Sequence, residues 1–119
     1  MQTECDAPRV AARRAPVGAS GHLRDALTAL GEGCGTVTRQ SERPWASITF
    51  EGARHAFEIV FEGCEAVSAG ERFVVALPEH EFVLRGQIVA EAAITGVDHT
   101  LLPEPRMTVT CELLLLKDA

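Results

Sequence analysis

Trp45-Ala46-Ser47-Ile48-Thr49-Phe50-Glu51-Gly52-Ala53-Arg54-His55-Ala56-Phe57-Glu58-Ile59-Val60-Phe61 is the stretch on which the fold turns. Up to Phe50 the even positions Ala46, Ile48 and Phe50 are apolar, and from Ala53 the odd positions Ala53, His55, Phe57, Ile59 and Phe61 take over. A period of two is the mark of a half-buried strand. With Glu51-Gly52 as a two-residue hairpin turn, Phe50 opposes Ala53, Ile48 opposes His55 and Ala46 opposes Phe57. Both apolar sets then share one face, as cross-strand pairing requires.

Upstream, Thr36-Val37-Thr38 is β-branched and predicts a short strand, with Gln40 to Pro44 as a polar turn. Before that, Leu23, Ala26, Leu27 and Leu30 recur at i, i+3, i+4 and i+7, which predicts an amphipathic helix over about residues 20–31. Ser20 is placed to cap it, and Gly31, Gly33 and Gly35 supply a left-handed stop. Glycines that follow a helix offer no helix-start amides to an anion, so Gly31-Glu32-Gly33-Cys34-Gly35 is read as a stop and not a phosphate cradle.

Downstream, residues 64–77 are read as a helix by length, ended by Pro78. A loop at Glu79-His80-Glu81-Phe82 and a turn at Arg85-Gly86 follow. Two alternating segments close the chain, Ile88 to Thr95 and Met107 to Leu115, separated by a loop from Asp98 to Pro105. The expected order is α-β-β-β-α-β-β. Strands clustered in this way predict the α+β class, a two-layer fold whose antiparallel sheet of about five strands carries two helices on one face.

At 119 residues the chain is sized for one domain, expected over 19–119 behind a flexible N-terminal tail at 1–18. That tail holds Arg9, Arg13 and Arg14 against Glu4 and Asp6, which leaves the remainder with eight basic and fifteen acidic side chains. An acidic body repels phosphate backbones, so nucleic acid is not an expected partner. The apolar run Leu113 to Leu116, like the slightly longer one from Phe73 to Leu77, is far short of the roughly 20 residues of a membrane span. Cys5, Cys34, Cys64 and Cys111 form no CxxC pair, and no apolar leader opens the chain. The expectation is a cytoplasmic protein with reduced thiols, Cys111 being a buried, inert one.

No GxSxG, Walker, GxGxxG or HExxH pattern occurs and no cofactor is expected. Four histidines are weighed. His55 falls on the apolar face, where it is either a core residue or the polar group of a pocket between sheet and helices. His80, flanked by Glu79 and Glu81, and His99 beside Asp98 could form an acid–base pair, or with Glu79 a metal site, if their loops meet at one end of the sheet. His22 is read as surface. A thiol sensor at Cys34 or Cys64 ranks behind these.

The opposite sheet face carries Trp45, Val60, Val89, Val97, Leu114 and Leu116, too apolar for a wet surface. Contiguous apolar surface marks an interaction site, so the sequence predicts a binding or assembly module that pairs through this face as a homodimer. The alternative is a small enzyme or metal-binding protein using His55 or the His80 and His99 loops.

Overall fold

A computed structural model describes residues 19–117. The tail expected at 1–18 lies outside them. The elements run α1 (Ala19–Leu30), β1 (Gly35–Ala46), β2 (Glu51–Glu62), α2 (Cys64–Ala76), a 3-10 turn (Leu77–Glu79), β3 (Gln87–Thr100) and β4 (Arg106–Lys117). The four strands form one antiparallel sheet in the order β1-β2-β4-β3. Both helices contribute to the core on one face of it, a two-layer α+β fold. Each helix is followed by a hairpin, and each hairpin sends its second strand to the middle of the sheet.

There are four strands and not five, because β1 runs straight through the segment expected to turn at Gln40 to Pro44. That polar, proline-bearing sequence suits an edge strand, where Pro44 need not donate to a neighbour and charged side chains discourage further pairing. The hairpin turn is also displaced. It is made by Ser47 to Phe50, where Ser47 N–H donates to the Phe50 carbonyl (2.7 Å) and Phe50 N–H to Ser47 Oγ (3.1 Å). Ala46 therefore opposes Glu51, Glu42 opposes His55 and Gln40 opposes Phe57. Ile48 and Phe50, expected in the core, sit in the turn and are exposed.

Gly52 belongs not to the turn but to a close approach between strands. A Cβ there would run into the Leu115 carbonyl oxygen, so only glycine lets β2 enter the sheet beside β4 at this point.

The core is filled by the inward residues of the two central strands, Phe57, Ile59 and Phe61 on β2 and Met107, Val109, Cys111, Leu113 and Leu115 on β4. Leu23 and Leu27 of α1 and Val67 and Phe73 of α2 close over them, with Leu77 just beyond. Each such burial contributes about 1.5–3 kcal/mol. Phe61 lies at the centre, tilted 49° against Phe73 at 5.9 Å and ringed by three glycines. A Cβ on Gly35 or Gly70 would come within 2.7 or 2.9 Å of its ring, and one on Gly31 within 3.3 Å. The glycines thus make the notch that admits the ring.

The stop after α1 is a paired capping arrangement. Gly33 N–H donates to the Thr28 carbonyl and Glu32 N–H to that of Ala29, both at 2.9 Å. The left-handed position falls on Glu32 (φ 62°) as well as Gly33 (φ 73°). Glu32 is held there by a two-pronged ion pair with Arg72 of α2, Nε to Oε2 at 2.7 Å and Nη2 to Oε1 at 2.9 Å. The Arg72 guanidinium draws the Glu32 carboxyl below its ordinary pKa. Ser20 lies inside the first turn of α1 and not at its cap.

The edge strands are bulged and the central pair is regular. Register shifts fall between Val37 and Arg39 in β1, and between Val89 and Glu91 and between Ile94 and Gly96 in β3. Each extra residue reverses which side chains face the helices.

Candidate interaction surface

The helix-free face of the sheet can be described row by row, because directly opposed residues project to the same side. At the end nearest the β1–β2 turn lie Trp45, Gly52, Leu116 and Ile88. The next row is Arg43, Arg54, Leu114 and Glu91, followed by Ser41, Ala56, Glu112 and Ala93. Arg39, Glu58, Thr110 and Gly96 come next, then Thr36, Val60, Thr108 and Asp98. The face is apolar at one end and charged along its length.

Of the residues expected to form this surface, Trp45, Val60, Leu114 and Leu116 lie on it. Val89 and Val97 do not. The bulge at Ala90 turns Val89 inward against the core, and Val97 pairs with the inward Val109 at the edge, where it stays 47% exposed. The same bulge brings out Ile88, which strict alternation sends inward and which is 46% exposed. Val60, Leu114 and Leu116, by contrast, are buried, at 7%, 4% and 9% exposure. The row neighbours of Leu114, Arg54 and Glu91, form an ion pair at 3.1 Å that must span the strand between them and so passes over it.

The histidines are scattered. His55 is 2% exposed, opposed by Glu42 on one side and Leu113 on the other. Its Nδ1 is buried without a hydrogen-bond partner. Burial lowers the His55 pKa below its ordinary value, and the nearby Glu42 charge opposes that shift. His80 is exposed and stacks edge-on against Phe82 at 4.6 Å. His99 stands near the far end of β3, twelve residues beyond Gln87 or about 40 Å of extended strand. The seven residues from His80 to Gln87 reach back at most about 25 Å, so His80 and His99 cannot share an ion. Glu79 belongs to the 3-10 turn on the His80 side. Among the described residues no three His, Cys, Asp or Glu side chains gather as a metal cluster.

Cys34 and Cys64 are exposed free thiols, while Cys111 is buried and its pKa is pushed up to about 12 by that burial, with the Glu112 charge adding to it. An open cleft of about 750 Å³ lies where β3 turns into β4, between Glu62, Asp98, Glu104 and Arg106. A shallow groove of about 240 Å³ runs across the middle of the helix-free face between Arg39, Ser41, Glu58, Thr95 and Glu112. His55 lines neither. No helix among the described residues is long and apolar enough to cross a membrane.

No family model matches this chain, and no curated protein matches it. Among solved structures, it is similar to the type 4 fimbrial biogenesis protein PilO from Pseudomonas aeruginosa, with a TM-score of 0.40 and 16% identity. The match covers 82% of this chain and 65% of that one, and at this level it assigns neither activity nor partner.

Proposed function

We propose that this chain is a non-catalytic binding and assembly module that acts in the cytoplasm and self-associates through its sheet as a homodimer. The observation that carries the reading is the row Trp45, Gly52, Leu116 and Ile88 on the face that neither helix covers. Leu116 is buried within the row, while Trp45 is half-buried and Ile88 is 46% exposed at its two ends, and exposed aromatic and large aliphatic side chains of this kind are what interfaces are built from. The acidic balance of residues 19–119 makes a protein partner a better match than nucleic acid. The exposed thiols of Cys34 and Cys64 suit a reducing compartment.

Sedimentation velocity over a concentration series tests the association. A shift from monomer to dimer by the high micromolar range is the expected result. A single monomeric boundary throughout would end the reading.

A further inference from the structure

The charges of the helix-free face are divided between its two halves. The β1–β2 half carries Arg39, Arg43 and Arg54 against Glu58, and the β3–β4 half carries Glu91, Asp98 and Glu112. At the far end of the face the order reverses, with Glu62 on β2 facing Arg106 on β4 at 3.6 Å. We propose that a second copy of the chain packs on this face about a two-fold axis that lies in the interface parallel to the strands. The proposal rests on the self-association reading above and specifies its geometry.

Two face-to-face arrangements of identical sheets are available with strands aligned. A two-fold axis perpendicular to the strands lays β1 over β1 and β3 over β3 with the rows reversed, which sets Glu91 against the second copy's Asp98 and the Trp45 row against the Glu62 and Arg106 end. An axis parallel to the strands lays β1 over β3 and β2 over β4. Arg43 then faces the second copy's Glu91, and Glu62 faces the second copy's Arg106, each twice by symmetry. Like rows also meet, so Trp45 comes to the second copy's Ile88. Charge and apolar matching select the same axis from independent residues.

The area is adequate. Four strands about 4.8 Å apart and about twelve residues long present a face of roughly 20 by 40 Å, or about 800 Å² per copy, the size of a standard stable interface.

The test uses Arg43→Glu and Glu91→Arg in the full chain, with circular dichroism to check that each folds. Alone, each variant sets like charges together twice, and its dimer dissociation constant should rise by at least about tenfold. Mixed in equal amounts, the two variants restore opposite charges at both contacts. The two substituted positions meet each other at one, and the unaltered Arg43 and Glu91 meet at the other, so dimer should reappear as a mixed species. Dimerisation by either variant alone as tight as that of the unmodified chain, or a mixture that stays as weak as its components, overturns this geometry while leaving self-association standing. An unmodified chain that remains monomeric overturns both.

Discussion

Gly70→Ala is the substitution in which two ordinary rules give opposite signs. In the middle of a helix, alanine in place of glycine stabilises by about 0.8–1 kcal/mol. Gly70 is buried on α2, however, and its added Cβ would lie 2.9 Å from Met107 Sδ and 2.9 Å from Cδ1 and Cγ of Phe61. Met107 is flexible and can yield. Phe61 cannot, because Gly35 already sits so close on its other flank that a Cβ there would be 2.7 Å from the ring. Overpacking of this kind costs about 1–3 kcal/mol, leaving a net destabilisation of about 1 kcal/mol.

For a body of this size that lowers Tm by about 4–8 °C. Thermal and urea melts followed by circular dichroism read it, and repeating them in a Phe61→Leu background isolates the cause. Removing the ring removes the obstacle, so Gly70→Ala should become neutral or stabilising there, with a coupling of about 1 kcal/mol or more between the two sites. A Gly70→Ala protein that melts higher than the parent would mean that the Phe61 ring can move aside for the added methyl group.

Three further outcomes follow from the same structure. The folded-state pKa of His55 is depressed, so the unfolded chain takes up its proton first, and stability present above about pH 6.5 falls as pH drops below that value. His55→Leu should flatten that part of a pH series of urea midpoints and relieve the unpartnered Nδ1, and an unchanged slope would assign the acid sensitivity elsewhere. Gly52→Ala meets backbone and not a movable side chain, so it should cost at least about 2 kcal/mol in chemical denaturation, and a neutral result would mean that β2 can shift away from β4. Iodoacetamide at pH 8 should label Cys34 and Cys64 in the folded protein and reach Cys111 after denaturation, as read by peptide mass mapping; rapid native labelling of Cys111 would contradict its burial.

What can be read from the sequence follows the strength of local periodicity. Both helices and the central strands are legible because Leu23, Leu27, Phe57, Ile59, Phe61 and the odd residues of β4 repeat without interruption. The edge strands are not. The run Arg39 to Pro44 looks like a turn because its polar side chains answer to solvent and to a sheet boundary that local sequence cannot reveal. Glu51-Gly52 imitates a hairpin turn because glycine is used both for positive φ and for close packing, and the Leu115 carbonyl that decides between them is more than sixty residues away. The first bulge in β3 exchanges Val89 for Ile88 on the candidate surface, since one unpaired residue puts the side chains on its two sides out of step with strict alternation. Ion pairs such as Arg54 with Glu91 join strands that are far apart in the chain, so the division of charge over the helix-free face emerges once the strand order is known.

The placement of each hairpin's second strand at the centre of the sheet has a consequence for how the protein is made. α1, β1 and β2 leave the ribosome before α2 and the second hairpin, and β2 then exposes an unpaired inner edge beside Phe57, Ile59 and Phe61. Its neighbour in the sheet is β4, the last of the four strands to be synthesised, so the sheet cannot be completed until the other three have emerged. A nascent strand that must wait for a distant partner is an invitation to pair with the wrong one. The bulges, charges and Pro44 guard edges in the finished sheet, but the edge most at risk during synthesis is the one that ends up in its middle.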